Sequence, residues 1–148
     1  MAGESHDSEA TIKKYMYWSM GAGLIPIPAI DVAAVTAIQL NMVAELAREH
    51  RQDFSRETGR TFIAALVCGS LPALMAGPFA QLLKAIPLIG PTAGALAMPA
   101  LAGASTYAVG KVFVEHFESG RAFSNFDPEA ARGQYAEHLG NARAAIGT

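Results

Sequence analysis

Charge is what this chain has least of. Charged residues make up 16% of its 148 residues, against roughly 25% in ordinary soluble domains. Part of the surface is therefore built to meet something other than water. From Thr61 to Val114 there is no acid, no histidine and no arginine; the formal charges in that stretch are Lys84 and Lys111. The net charge of -2 provides no basic field, so nucleic acid is not expected as a partner. A lone cysteine, Cys68, excludes a disulfide framework and a cysteine metal cluster. Lying inside the apolar run, it is expected to be a small buried filler. No GxxxxGK[ST] and no G-x-S-x-G occurs, and the glycine-rich stretches follow no strand pattern. A phosphate loop, a dinucleotide loop and a serine nucleophile elbow are all missing. The start, MAGESHDSEA, lacks the basic and apolar regions of a signal peptide, so a cytoplasmic start is expected.

What is present is a long run of Ala, Gly, Leu and Pro. A spanning helix needs about 20 mostly apolar residues, and both Thr61–Leu83 and Ala85–Gly110 reach that length without an internal charge. Length is not hydrophobicity, however, because Ala and Gly contribute little per residue. Proline punctuates both segments: Pro72 and Pro78 in the first, Pro87, Pro91 and Pro99 in the second. Proline inside a helix removes a backbone bond. The expected elements are a helix over Ser55–Leu71, a short piece over Pro78–Ala85, a turn at Ile86–Pro91, and a long helix over Pro91–Glu118 kinked near Pro99. Gly90, Gly94 and Met98 recur every four residues, and Gly103, Thr106 and Gly110 continue a small-residue side. Such spacing lets helix backbones approach closely.

The rest of the chain is also helical. Met1–Asp7 is expected to be a loose tail, with Asp7 or Ser8 capping a helix to about Met20. Ile12, Tyr15, Met16 and Ser19 share its inner side. Tyr15, Tyr17 and Trp18 form an aromatic cluster beside Lys13 and Lys14. The plainer reading is that these rings pack on the bundle; the other is that they sit at a membrane interface. Pro26 and Pro28 enforce an extended link, and Asp31 caps the next helix or lies one or two residues inside it. Val32, Val35, Ile38, Met42, Val43 and Leu46 form that helix's apolar face. Gln39 interrupts it, and a polar residue there fixes register if it finds a hydrogen-bond partner. Asp127-Pro128-Glu129 opens a last helix with a thin stripe of Tyr135, Leu139 and Ile146, suited to packing on a neighbour. No strand pattern survives, so the fold is expected to be all-α. It reads as a compact bundle of about five helices around the Ala/Gly/Pro-rich hairpin. The division is a tail over 1–7, a helical domain over 8–126 and a C-terminal helix over 127–148.

Two proline-containing motifs carry a family resemblance. Leu24-Ile-Pro-Ile-Pro-Ala-Ile-Asp31, with Thr36, Gln39, Met42 and Glu45-Leu-Ala, is the first. Ile86-Pro-Leu-Ile-Gly90 with Gly94, then Thr106-Tyr107-Ala-Val-Gly110 and Phe113-x-Glu115, is the second. Over roughly Met20 to Glu118 the chain resembles the YcjF-type, GTPase-associated domain of unknown function 697. That resemblance implies a setting beside Era-like small GTPases and, in some members, the inner membrane. It supplies no catalytic residues. The chain departs from the pattern in having no GTPase domain and in carrying Pro78, Pro91 and Pro99 where ordinary helical residues are expected.

The four histidines, His6, His50, His116 and His138, lie in separate segments, and no Glu-x-x-His pair of the di-iron type is present. Glu45, Glu49, His50, Glu115 and His116 would form a metal site only if their helix ends met; a solvated charged rim is the simpler reading. The function expected is that of a non-enzymatic, membrane-associated adaptor or scaffold without cofactor. Its hairpin contacts lipid at the cytoplasmic face of the inner membrane, and its polar helices dock a partner such as a small GTPase. The alternative is a soluble, self-assembling protein with the hairpin buried between subunits, and homo-oligomerisation is expected in either case. Arg56, Arg60 and Lys111 flank the hairpin on one side, while Lys84 at its apex favours shallow contact over full crossing. The interaction candidates are Pro26, Pro28, Asp31, Gln39, Lys84, Pro87, Gly90 and Gly94.

Overall fold

The computed structural model describes residues 2–22, 28–76 and 91–146. They form five α-helices: α1 (Ala2–Ala22), α2 (Pro28–Glu49), α3 (Arg56–Ala76), α4 (Pro91–Glu118) and α5 (Arg132–Ile146). A 3-10 turn at Phe123–Asn125 separates the last two. The described residues contain no strand, and the protein is an all-α bundle.

Proline marks the starts of helices here as well as their interiors. Pro28 and Pro91 are the first residues of α2 and α4, where the missing N–H is an unused donor in any case. Asp31 therefore lies in the first turn of α2, one step deeper than expected, near the positive end of the helix. Pro72 does not end α3, which continues to Ala76, and Pro99 lies within α4. Each removes one backbone donor, and the helix on either side outlasts the loss. The backbone of α1 is helical from Ala2, ahead of the Asp7 or Ser8 cap. Asp127 does cap a turn, accepting from the backbone N–H of Glu129 at 3.0 Å. The α-helix proper begins one turn later, at Arg132.

Side-chain pairings give the directions. Along α1, Glu9 pairs with Lys111 of α4, Ile12 packs on Gly110, and Met16 and Met20 pack on Gly103. Numbers rise on one helix as they fall on the other, so the two are antiparallel. Thr11 with Glu49 and Lys14 with Glu45 set α1 antiparallel to α2 in the same way. Phe62 of α3 meets the rings around Phe126, while Gly69 lies under Arg132, one turn from the Tyr135 that bonds Ser105. The first four helices therefore alternate, and α4 is the central one, contacted by all the others.

The two ends of the bundle differ in chemistry. At one end six of the seven phenylalanines interlock. Phe113 stacks on Phe126 at 4.3 Å between centroids, and Phe123 meets Phe54 at 5.2 Å and Phe62 at 5.3 Å. This cluster pins the α2–α3 and α4–α5 connections to the core. Arg51 closes α2 there with a left-handed backbone (φ 56°). Its N–H bonds Arg48 O and the N–H of Gln52 bonds Ala47 O, the double bond of a Schellman cap. α5 packs on its own bundle and not outward, since Tyr135, Leu139 and Ala142 are buried. Cys68 is exposed and not a core filler. α3 turns Ile63, Leu66 and Ser70 inward, and a residue two positions from Leu66 faces away by about 200°.

Candidate interaction surface

The alternation of helix directions brings together what the sequence keeps apart. The last turns of α1, the first half of α2, the last turns of α3 and the first half of α4 all lie at the end opposite the phenylalanine cluster. Residues 15–22, 61–76 and 91–110 carry no Asp, Glu, Lys or Arg, and α2 carries only Asp31 before Glu45. Ala is the commonest residue over 61–76 and 91–110, and among the described residues Asp31 is the formal charge in these segments. Among the described residues, no helix is long and apolar enough to cross a membrane.

α1 is fastened to the bundle by polar contacts above this end and by close packing within it. Thr11 donates to Glu49 at 2.6 Å, Lys14 pairs with Glu45 at 3.2 Å, and Glu9 pairs with Lys111. Burial and then the hydrogen bond to Glu45 push the Tyr15 hydroxyl up to about 12. Burial alone would raise Glu45, but hydrogen bonds from Tyr15 and Lys14 outweigh it and hold the carboxyl below its usual range. Burial likewise opposes the charge on Lys111, and Glu9 overrides it and raises the lysine. Lys111 is thus half-buried and neutralised by a partner, not a free positive flank. Lower down, an added Cβ at Gly103 would come within 2.5 Å of Met20 Cγ, and one at Gly110 within 2.7 Å of Ile12 Cγ1. The small-residue side of α4 is the seat of α1.

A polar chain crosses the bundle beside these glycines. Ser19 of α1 shares a 2.6 Å hydrogen bond with Thr106 of α4. Gln39 Nε2 donates to Thr106 at 3.1 Å and to Ser105 at 3.2 Å, and Ser105 shares a 3.0 Å bond with the hydroxyl of Tyr135. Burial pushes the Tyr135 hydroxyl up, and the Ser105 bond only partly offsets this. Four helices are linked through Gln39, the polar residue expected to need a partner. Ser19, Ser105, Thr106 and Tyr135 were not singled out with it. For Ser19, Ser105 and Thr106 the signal available was polarity inside charge-free runs, whereas Tyr135 lies between Arg132 and Glu137.

The outer side of α1 presents the remaining feature. Tyr15 packs partly against the core, but Trp18 is 66% exposed and Tyr17 49%. The reading that all three aromatics pack on the bundle therefore fails for two of them, because Ile12, Met16 and Ser19 take the inward positions. Lys14, Tyr17, Trp18 and Gly21 lie along one stripe. With Ala22 and Ile38 of α2 they line an open groove of about 610 Å³. Pro26, Lys84, Pro87 and Gly90 lie outside the described residues, as do the short piece and turn expected over 78–90. Pro28, Asp31 and Gly94 belong to the helical backbones at the charge-free end.

The acids and histidines considered for a metal site are dispersed. Glu45 and Glu49 serve α1, Glu115 bonds His138 at 2.6 Å, and His116 Nε2 bonds the Ala122 carbonyl at 2.7 Å. His50 Nδ1 bonds Leu46 O at 2.8 Å. Among the described residues no three of His, Cys, Asp or Glu gather around a common point.

The fold is a small helical bundle whose described residues form one charged, phenylalanine-locked end and one charge-poor end. The chain belongs to the family described as domain of unknown function (DUF697), which matches residues 5–143 and so extends beyond the Met20–Glu118 motifs at both ends. It is similar to magnetosome membrane protein 22 of Magnetospirillum gryphiswaldense, with 37% identity over 139 residues, 93% of this chain and 71% of that protein. No solved structure matches the chain.

Proposed function

We propose that the protein is a non-enzymatic, membrane-associated adaptor. Its charge-free end rests shallowly on the cytoplasmic face of a membrane, and its charged end presents a docking surface to a protein partner. The observation that carries this reading is the gathering of four nearly charge-free helix segments at one end of the bundle. The similarity to a protein named for a membrane supports it. Shallow contact also agrees with the absence, among the described residues, of a helix fit to cross. At the far end Arg48, Arg51, Arg56, Arg60 and Arg121 are exposed, an arrangement that favours the cytoplasmic side. The resemblance to GTPase-associated domains makes a small GTPase the partner to test first.

The test is to express the chain untagged, separate membranes from cytosol, and wash the membranes with carbonate and with high salt. Retention through both washes is the expected result. Recovery as a soluble, large species would overturn the membrane reading and make the charge-free end a contact between copies of the chain.

A further inference from the structure

The groove on α1 is ordered along the helix axis, not around it. Lys14 stands at the top, paired with Glu45; Tyr17 and Trp18 follow one turn below; Gly21 and Ala22 line the lower end, with Ile38 of α2. No charge occurs on α1 below Lys14. A partner helix would call for an apolar stripe running the length of α1, which the charged upper half does not offer. A lipid leaflet has the axial order seen here: charge at the headgroups, amphipathic rings at the interface, apolar groups beneath. The seven residue steps from Lys14 to Gly21 rise about 10 Å, comparable to the roughly 5–10 Å over which interfacial helices bury their apolar face. The groove is also continuous with the charge-free end, since Ile38 lies on the uncharged stretch of α2.

The geometry points to a phospholipid notch. Trp18 and Tyr17 anchor at the headgroup boundary, an acyl chain lies along Gly21, Ala22 and Ile38, and Lys14 faces the phosphate level. This rests on the membrane reading and deepens it, by naming the residues that hold the lipid and the depth to which α1 enters. Exposed aromatic rings beside an open apolar trough are costly in water and favourable in this setting. The trough is open at its floor as well, because a Cβ built on Gly21 would meet nothing within 4 Å.

Trp18 is the only tryptophan of the chain, so its emission reports on the notch alone. The experiment adds the intact protein to phosphatidylcholine–phosphatidylglycerol vesicles and follows flotation and fluorescence in the same samples, with and without brominated acyl chains. The expected result is flotation, a blue shift of Trp18 emission, and quenching by bromine. Trp18→Ala should lower vesicle binding by about tenfold or more while leaving the far-ultraviolet circular dichroism unchanged, since the ring is mostly exposed. Flotation with unshifted emission and undiminished Trp18→Ala binding would overturn the notch and leave the membrane reading standing. Failure to float would overturn both. Emission already blue-shifted in buffer, and reverting on dilution, would assign the groove to a second copy of the chain and overturn the notch.

Discussion

Thr106→Val isolates the polar chain at the centre of the bundle. The substitution keeps the shape of the side chain and deletes only the hydroxyl. Thr106 is fully buried, as are Ser19 at 0% and Gln39 at 3% exposure. Two hydrogen bonds are lost, one of 2.6 Å to Ser19 and one of 3.1 Å from Gln39, each with a net worth of about 1 kcal/mol. Gln39 keeps its bond to Ser105, so its amide is not abandoned. Ser19 loses its side-chain partner, and a buried hydroxyl left unsatisfied costs about 1–3 kcal/mol. The expected destabilisation is about 2–4 kcal/mol, read from urea or guanidinium unfolding followed by circular dichroism. Ser19→Ala alone should cost only about 1 kcal/mol, because Thr106 retains Gln39. The double variant should cost no more than Thr106→Val alone, since it removes the orphan. That is a coupling of about 1 kcal/mol between the two sites. A Thr106→Val protein within about 0.5 kcal/mol of wild type, or strictly additive single effects, would refute the account of these groups as a connected, desolvated network.

The glycines divide by their surroundings. Gly110→Ala drives a methyl into Ile12 and Met42 and should cost about 1–3 kcal/mol, whereas Gly133→Ala and Gly140→Ala, in open helical positions of α5, should each raise stability by about 0.5–1 kcal/mol in the same unfolding assay. Arg51→Gly relieves the left-handed backbone at φ 56° and should stabilise by about 1 kcal/mol; a loss would show that the arginine side chain holds the α2–α3 corner. The tethers of α1 set its response to pH, and the signs differ. Glu45 lies below its ordinary 4.5 in the folded protein, so its contribution is complete above that value and lost as pH falls through the depressed one. Lys111 lies above its ordinary 10.5, so its contribution is complete below that value and lost as pH rises through the raised one. Glu45→Gln should therefore flatten the acid limb of a melting-temperature profile, and Lys111→Met the alkaline limb.

The sequence foretold helices better than it foretold where they touch. Pro91–Glu118 was legible because its charge-free run gives way to Lys111, Glu115 and Glu118, and Pro91 is a natural first helical residue. Gln39 was legible as a buried polar residue because apolar residues flank it at helical spacing. What failed was anything decided by packing between helices. Pro72 looks like a terminator when only the backbone rule is applied, yet the helix continues past it. Cys68 looks buried because its neighbours are apolar, and its exposure follows from the rotation of α3 about its axis. Trp18 and Tyr17 look like core residues by type, and they point outward because Ile12, Met16 and Ser19 hold the inward side of α1.

The same distinction bears on why the charge-free end is built as it is. Apolar burial holds helices together without choosing among registers, and it is weakest where the side chains are Ala and Gly. At a lipid surface even that preference fades, because acyl chains serve an apolar face as well as a neighbouring helix does. Specificity must then come from shape and directional bonds. α1 has both: glycine seats at Gly103 and Gly110 that take Met20 and Ile12, and the Ser19–Thr106–Gln39 bonds between them. Sliding α1 by one turn would place Ile12 and Met16 over the wrong positions and separate Ser19 from Thr106. It would also break the pairings of Glu9 with Lys111 and Lys14 with Glu45 at the charged end. Close seats, buried hydroxyls and paired charges thus fix one register along the whole of α1, and that register is what holds Tyr17 and Trp18 on the outer face beside the charge-free end.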